Sequence, residues 1–399
     1  MIPNPPTYQY YKHIFKDENK PFGFVDLDLL DENIASVIQR ASGKTIRIAS
    51  KSVRCTRLLK YILDKGMPFK GLMTYTAGES IFLAGEGFDD MLIGYPTWQE
   101  TELNGVCELV KSGSKIILMA DCAEHLNRYA LFAEKYNTVL SVCLDIDMSS
   151  SFPGLYFGVY RSGLRDAKTV KKLMQAYIGH PYLNVMGIMG YEAQIAGVGD
   201  AVQGADLKNI VVKTLKKQSI KEVSLRRAEV VATLRKMGYA IDLINGGGTG
   251  SLESTVQETV VTEVTVGSAF FSPALFDNYA RFKHLPAAGY AVEIIRHPQP
   301  NIYTCAGGGY IASGSAGSDK LPKPYLPEGA KLTGNEAAGE VQTPVIYKGM
   351  EHLQLGDPIF MRHAKAGELC ERFKQLVLVS KGKIQERTLT YRGQNQCFI

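Results

Sequence analysis

Eight short apolar segments, each with the composition of a β-strand, recur between helical patterns in the first two thirds of this chain. They span residues 45–49, 70–74, 90–93, 115–120, 138–146, 184–189, 240–244 and 263–267. Amphipathic stretches such as 29–40 and 224–237 precede several of them. Near-continuous apolar strands that alternate with helices are typical of a parallel sheet with both faces buried. This count predicts a closed (β/α)8 TIM barrel, with a doubly wound open sheet as the alternative.

The pattern changes after about residue 276. Seven further segments read as strands joined by turns, without long helical periods: 291–295, 301–306, 310–312, 345–347, 358–362, 375–380 and 383–391. We therefore predict two domains, a barrel over 1–275 and an all-β domain over 276–399. The N-terminal arm, 1–22, can pack on the β domain. Residues 313–340 are rich in Gly, Pro, Lys and Ala, which predicts a long surface loop, either an ordered insertion or a lid.

Composition narrows the class of protein. A chain of 399 residues with 45% hydrophobic and 21% charged residues is typical of a globular enzyme with a small-molecule substrate. The net charge of +5 is spread along the chain, which argues against a nucleic-acid binder. No stretch has the pattern of a secretory signal or a membrane span, and the seven cysteines show no regular spacing. We expect a cytoplasmic protein with reduced thiols and no membrane partner.

Two short motifs carry the chemistry. Lys51 closes the strand segment Arg47-Ile48-Ala49-Ser50, and a lysine at a strand end can form a Schiff base with an aldehyde. The run Asn245-Gly246-Gly247-Gly248-Thr249-Gly250-Ser251 follows another strand, where its backbone N–H groups can hold a phosphate dianion. Both motifs fall at the carboxyl ends of predicted strands, where parallel barrels carry their active sites. Together they indicate pyridoxal 5'-phosphate.

The order of these parts resembles the alanine-racemase-like (fold type III) class of pyridoxal phosphate enzymes. The residues that carry the resemblance are Phe24-Val25-Asp26-Leu27-Asp28 before a helix, the strand ending at Lys51, Ala77-Gly78-Glu79, and Gly246 to Gly250. Within the class, the branch of D-threonine aldolases and eukaryotic-type D-serine dehydratases is the most similar. The resemblance implies a barrel followed by a β domain, and a head-to-tail homodimer.

The resemblance also assigns roles to residues. Lys51 matches the Schiff-base lysine, which afterwards is the general base at Cα, although the family's Arg-Pro-His before it reads Arg47-Ile48-Ala49 here. Arg161 matches the arginine that faces the pyridine nitrogen. Tyr191 can bind the ring hydroxyl or the substrate carboxylate. The other implied cofactor-binding residues are Gln194, beside the ring, and Gly248, Thr249, Gly250, Gly267 and Ser268, around the phosphate.

The metal site of that branch is only half present. The branch pairs a C-terminal histidine with an aspartate or cysteine two residues on, and His363 matches the histidine, but Lys365 stands at the second position. A protonated lysine repels a cation, so a divalent metal is doubtful. Cys370 or Glu368 can replace the missing ligand only if the intervening loop folds back. Without a metal, His363 can be the acid or base at the β-hydroxyl, with Lys365 as a fixed positive charge.

The sequence thus predicts a lyase that cleaves the Cα–Cβ bond of small β-hydroxy D-amino acids, as D-threonine aldolases do. A D-serine dehydratase type of ammonia-lyase is the near alternative. An amino-acid racemase is disfavoured because no residue clearly matches the catalytic tyrosine of a second domain. A non-catalytic pyridoxal phosphate carrier is disfavoured because it has no need of a second wall over its site.

Overall fold

A computed structural model describes residues 6–314 and 317–399 of the chain. The strands, in chain order, are β1 (Phe22–Asp26), β2 (Thr45–Ala49), β3 (Phe69–Thr74), β4 (Met91–Ile93), β5 (Ile116–Ala120), β6 (Leu140–Asp145), β7 (Ser150–Phe152), β8 (Leu155–Phe157), β9 (Leu183–Gly190), β10 (Leu243–Gly246), β11 (Glu263–Val266), β12 (Ala288–Gln299), β13 (Ile302–Ala306), β14 (Lys323–Leu326), β15 (Lys331–Leu332), β16 (Gln342–Ile346), β17 (Pro358–Arg362), β18 (Gln375–Ser380) and β19 (Lys383–Leu389).

The α-helices are α1 (Tyr8–Ile14), α2 (Leu27–Ala41), α3 (Thr56–Leu63), α4 (Ala77–Gly85), α5 (Glu100–Lys111), α6 (Ala123–Tyr136), α7 (Ala167–Met174), α8 (Ala193–Ala196), α9 (Asp206–Lys236), α10 (Leu252–Thr255), α11 (Ser268–Phe271) and α12 (Ala366–Arg372). Short 3-10 turns lie at Ser50–Ser52, Gln175–Tyr177, Ala274–Asn278 and Ser318–Lys320. Among the described residues, no helix has both the length and the apolar character needed to cross a bilayer.

The predicted barrel is confirmed. Strands β2, β3, β4, β5, β6, β9, β10 and β11 form a closed parallel barrel, and each of them overlaps one of the eight predicted segments. The overlap is smallest at β10, which begins three residues later than the predicted segment 240–244 and includes Asn245 and Gly246 of the glycine run. Closure through the β9–β10 and β11–β2 pairs excludes the open-sheet alternative. The interior is filled by a small apolar cluster that includes Leu92, Ile117 and Met119. Alternation along each strand directs these side chains inward, which makes the barrel a packed core rather than a pore.

The helices bury their apolar faces against the barrel. Helix α2 shows the local logic: the Asp26 carboxylate accepts hydrogen bonds from the Asp28 and Leu29 backbone N–H groups and so caps its start. Leu30 and Val37 lie on its buried face. The cysteines are all free thiols, as the sequence predicts.

The second sheet has the order β15-β16-β13-β12-β1-β18-β19, with β17 paired to β12 and β14 paired to β17. Strand β1 therefore lies in this sheet, antiparallel to β12 and parallel to β18, although its residues come before the barrel in the chain. The region is β-rich rather than all-β, because it also contains α12. The predicted strand at 310–312 is wrong, since those residues form no strand. The predicted loop 313–340 contains β14 and β15 in its described part.

One contact holds helix α1 on this sheet, and another places the region against the barrel. The Tyr11 hydroxyl of α1 donates to Asp26 at 2.8 Å, and its ring packs on Phe24 and Phe360. Helix α12 lies against the Ser50–Ser52 turn so closely that a Cβ at Gly367 would overlap the Lys51 carbonyl oxygen. The β-rich region therefore forms one wall of the space above Lys51.

Candidate active site

A cavity of about 660 Å³ lies at the carboxyl ends of the barrel strands. The residues named from the sequence that line it are Lys51, Arg161, Tyr191, Gln194, Gly248, Thr249, Gly267 and Ser268. Gly250, His363 and Cys370 are not among the lining residues. The barrel thus brings most of the sequence-derived candidates to one place from five separate segments.

Lys51 lies on the 3-10 turn that directly follows β2, so its side chain projects from the strand end toward the cavity. Its carbonyl oxygen accepts a hydrogen bond from Arg54 Nε at 2.9 Å. Arg47, by contrast, does not line the cavity: its guanidinium is buried in the barrel wall, 2.7 Å from Glu263 Oε1 and 2.9 Å from Asp90 Oδ1. Arg47 therefore belongs to the barrel wall, whereas Lys51 faces the open space.

The glycine loop after β10 is shaped by close packing. Gly247 has a φ of +82°, a conformation that favours glycine. A Cβ at Gly248 would lie 3.1 Å from the Tyr191 ring, and one at Gly267 would lie 2.7 Å from Ser52 Oγ. At Gly250 a Cβ would overlap the Ala196 carbonyl oxygen. The glycines therefore let the loop pack directly against its neighbours, where a side chain would collide with them.

The same loop is held from below by Glu192, a buried residue that the sequence analysis did not single out. Its Oε2 accepts from the Gly247 backbone N–H at 3.3 Å and from Arg227 at 3.0 Å. Its Oε1 accepts from the Ser251 hydroxyl at 2.9 Å and from the Thr255 hydroxyl. One carboxylate thus ties the loop to helix α9, which carries Arg227.

Thr249 is fixed on both sides. Its hydroxyl oxygen accepts from the Ala269 backbone N–H at 3.1 Å, at the start of α11. Its carbonyl oxygen accepts from Arg40 at 2.6 Å. The β10 and β11 loops are therefore bonded together where phosphate binding was expected.

Arg161 lies between two aromatic rings across the cavity. Its guanidinium is 5.5 Å from the Tyr95 ring centroid and 5.4 Å from that of Tyr191. Burial raises the pKa of Asp145 to about 7, and the nearby Arg161 charge works against that shift. Burial also raises the pKa of Tyr191 to about 12, so its hydroxyl keeps its proton near neutral pH. Gln194 is oriented by donating to the Met148 carbonyl oxygen at 2.5 Å.

His363 and Cys370 lie away from the cavity lining. His363 is 2% exposed, and neither ring nitrogen has a hydrogen-bond partner among the described residues. Burial, with a further contribution from Arg362, lowers the pKa of His363 to about 3. The Cys370 thiol donates to the Val53 carbonyl oxygen at 3.1 Å, and burial raises its pKa. One neutral imidazole with Arg362 beside it and Lys365 two residues on does not make a two-ligand metal site.

The β-rich region contributes a wall that includes Lys365, Gly367 and Glu368. Lys365 Nζ donates to the Ser313 carbonyl oxygen at 2.7 Å, and Glu368 Oε1 accepts from the Ser313 backbone N–H at 3.1 Å. The sequence predicted Lys365 as a fixed positive charge in a metal-free site and Glu368 as a replacement metal ligand, and both lie in the cavity wall. Tyr95 was not predicted; it lies two residues after β4, and a position just after a barrel strand is the signal that could have found it.

Comparison with known proteins gives a consistent picture. The family model described as alanine racemase, N-terminal domain, matches residues 25–273. A 3-hydroxy-D-aspartate aldolase of Paracoccus denitrificans is 23% identical over 259 residues, which is 64% of this chain and 60% of that protein. A D-threonine aldolase of an Arthrobacter species is 23% identical over 226 residues, or 57% of this chain and 53% of the relative. The chain thus spans between about half and three fifths of the length of these curated relatives.

Solved structures of low sequence identity share the whole fold. The D-threonine aldolase of Filomicrobium marinum superposes with a TM-score of 0.79 at 17% identity, covering 94% of this chain and 96% of that one. The D-threo-3-hydroxyaspartate dehydratase of a Delftia species has a TM-score of 0.74 at 17% identity, covering 93% and 97%. At such identities the likeness concerns the architecture, the barrel and the second sheet together.

Proposed function

This chain belongs to the family of the alanine racemase N-terminal domain, and on that premise we propose that it is a pyridoxal-phosphate-dependent lyase. We propose that it cleaves the Cα–Cβ bond of small β-hydroxy D-amino acids. The observation that carries the proposal is the single cavity that contains both Lys51 and the glycine loop. The names of its relatives, which are aldolases and a dehydratase for D-amino acids, support the same class of reaction.

The cavity residues fit pyridoxal phosphate. Gly248 and Gly267 present backbone without side chains to the cavity, which leaves room there for a small anion. Ser268, the first residue of helix α11, lines the same space. We assign these residues and Thr249 to the phosphate, and Lys51 to the aldehyde carbon. Bound pyridoxal phosphate supplies a sink for the electron pair released at Cα.

The other residues position the reacting groups. We assign Lys51 to the transfer of the proton at Cα, because this lysine follows β2 and lines the same cavity as the glycine loop. Tyr191 keeps its hydroxyl proton and can donate it in a hydrogen bond to the ring hydroxyl or to the substrate carboxylate. At the pyridine nitrogen, the guanidinium of Arg161 would donate a hydrogen bond without giving up a proton, as is general for arginine. Gln194, which donates to the Met148 carbonyl oxygen, lines the cavity near Tyr191 and would lie beside the ring.

A divalent metal does not fit the donor set at His363, and the proposed reaction uses none. His363 does not line the cavity, so we assign it no part in the reaction. Of the described residues, only Asp121, Cys122 and His125 bring three potential ligands together. His125 Nδ1 is 2.9 Å from Asp121 Oδ1 and 3.2 Å from Cys122 Sγ, as in an ordinary hydrogen-bonded helix start.

A dehydratase is the second candidate. Loss of the β-hydroxyl requires a proton donor at that oxygen, and Lys365 presents an ammonium group to the cavity. The similarity in fold to a dehydratase agrees with this alternative. We further propose a cytoplasmic homodimer, and a division of the chain into a barrel part, 1–275, and a β part, 276–399, to which strand β1 adds from the N-terminal side.

The test begins with the absorption spectrum of the purified protein before and after borohydride reduction, followed by peptide mapping. We expect a yellow band that reduction converts into a stable adduct on Lys51. Lys51→Ala should abolish the adduct, whereas Lys60→Arg, on the exposed side of α3, should leave it intact. D-threonine is then assayed for aldehyde and D-serine for ammonia and pyruvate. An adduct on another lysine would overturn the cofactor assignment. An adduct on Lys51 with no turnover of D-threonine, D-serine or D-3-hydroxyaspartate would overturn the lyase assignment.

A further inference from the structure

The charges that line the cavity are strongly unbalanced. Four cationic side chains, those of Lys51, Arg54, Arg161 and Lys365, face a single carboxylate, that of Glu368. A cavity with this excess of positive charge favours anionic ligands. The phosphate and the α-carboxylate of an amino acid account for part of that excess.

Three of the four cations already have an assignment. Lys51 is assigned to the cofactor aldehyde. Arg54 forms an ion pair with Glu371, behind the cavity wall. Arg161 lies between its two tyrosine rings on the side assigned to the pyridine ring. Lys365 is the cation that remains.

Lys365 is held in place without being neutralised. Its Nζ lies 2.7 Å from the carbonyl oxygen and 3.5 Å from the hydroxyl oxygen of Ser313. Within residues 6–314 and 317–399 it makes no ion pair. Glu368, the carboxylate of the same wall, instead accepts from the Ser313 backbone N–H at 3.1 Å. An ammonium group has three donors, so after both Ser313 contacts one N–H is left for a ligand.

We propose that Lys365 is the specificity-determining residue of this site, and that its ammonium group binds a second carboxylate carried on the β-carbon of the substrate. The proposal rests on the proposed lyase function and narrows its substrates to β-hydroxy D-amino acids with an acidic side chain. Because the cation occupies the wall where a metal-binding pair would need its second ligand, the reaction proceeds without a divalent metal.

The size of the effect follows from the type of bond. A hydrogen bond between an ammonium group and a carboxylate is charge-assisted and typically changes affinity or kcat/KM by about 10- to 100-fold. The wild-type protein should therefore prefer D-3-hydroxyaspartate to D-threonine by such a factor. Treatment with a chelator should leave both rates unchanged.

The test compares the holoenzyme with Lys365→Met, which keeps most of the length and loses the charge. We expect the ratio of kcat/KM for D-3-hydroxyaspartate over D-threonine to fall about 10- to 100-fold. Lys365→Arg, which restores the charge, should recover part of that ratio. Lys348→Met, at an exposed position outside the cavity lining, is the matched control and should keep the wild-type ratio. A ratio that stays constant in Lys365→Met would overturn the proposal, since it would mean that Lys365 binds the α-carboxylate or only supports the wall.

A binding measurement separates failure of this proposal from failure of the lyase function. D-malate and D-lactate differ by one carboxylate, and their binding to the borohydride-reduced holoenzyme can be measured by calorimetry without turnover. We expect D-malate to bind at least 10-fold more tightly than D-lactate, and Lys365→Met to abolish the difference. Equal affinities in the wild type would refute the role of Lys365 even if D-threonine is cleaved. A selective D-malate site in a protein that cleaves no amino acid would uphold it while the lyase assignment falls.

Discussion

Glu192 offers the sharpest test of how the glycine loop after β10 is held in place and of its proposed role in binding phosphate. The substitution Glu192→Gln keeps the size and shape of the side chain but removes its charge. In the wild type this fully buried carboxylate accepts four hydrogen bonds, from Gly247, Ser251, Thr255 and Arg227. Two of these donors, the Gly247 backbone N–H and the Arg227 guanidinium, cannot turn into acceptors. The amide oxygen must therefore take the Oε2 position, and the amide NH2 must face the two hydroxyl groups.

The magnitude follows from these bonds. A hydrogen bond to a charged group contributes about 1.5–3 kcal/mol and a neutral one about 0.5–1.5, so each rigid donor loses roughly 1 kcal/mol. Arg227 keeps its ion pair with Glu258, which limits the loss. We expect the free energy of unfolding of the apoprotein to fall by about 1–3 kcal/mol. If 1–2 kcal/mol of this acts on the Gly247 anchor, the affinity for pyridoxal phosphate should fall roughly 5- to 30-fold.

The assay titrates the apoprotein with pyridoxal phosphate and, separately, with pyridoxal, which has no phosphate. Glu192→Gln should weaken the binding of pyridoxal phosphate and leave that of pyridoxal close to wild type, because in the proposed assignment the loop would hold only the phosphate. Glu229→Gln, on the exposed side of α9, is the matched control. Equal losses for both aldehydes would mean that the variant perturbs the whole cavity, and the reasoning about a loop anchor would then be wrong.

Three further predictions follow from buried charges. Burial raises the pKa of Asp145 from 3.8 to about 7, so the stability that its folded-state proton contributes is complete below 3.8 and is lost as the pH rises through 7. Between pH 3.8 and pH 7, the free energy of unfolding of Asp145→Asn, measured by urea titration, should rise relative to that of the wild type by on the order of 4 kcal/mol. The same pH dependence in both proteins would refute the shifted pKa. Burial lowers the pKa of His363 from 6.5 to about 3, so the stability that its neutral ring contributes is complete above pH 6.5 and is lost as the pH falls toward 3. In thermal melts, the wild type should therefore lose stability between pH 7 and pH 5, and His363→Leu should lose less. Arg47→Met leaves the carboxylates of Glu263 and Asp90 without their buried partner and should reduce the free energy of unfolding by about 3–5 kcal/mol in chemical denaturation; a change below 1 kcal/mol would contradict the role of this ion pair.

The local pattern of apolar and polar residues was sufficient to predict those elements that form within a short segment of the chain. The barrel strands could be read from the sequence because a strand buried on both faces needs an unbroken apolar run, and each such run is flanked by a helical period. The same reading failed at 310–312, where Tyr310 packs its ring on Tyr290 and Phe373 without entering a ladder. Strand β1 was recognised as a motif, but no local signal shows that it joins β12 and β18.

Neighbours along the chain are enough to predict the succession of strands and helices, the lysine after β2 and the glycine loop at the end of β10. Which of these residues meet depends on the tertiary structure. It brought Lys51, Arg161 and Thr249 to one cavity, since the carboxyl ends of parallel strands converge at one face of a barrel. It also buried His363 away from that cavity and placed Lys365 in its wall, a difference of two positions in the chain that depends on how α12 packs against the turn at Lys51.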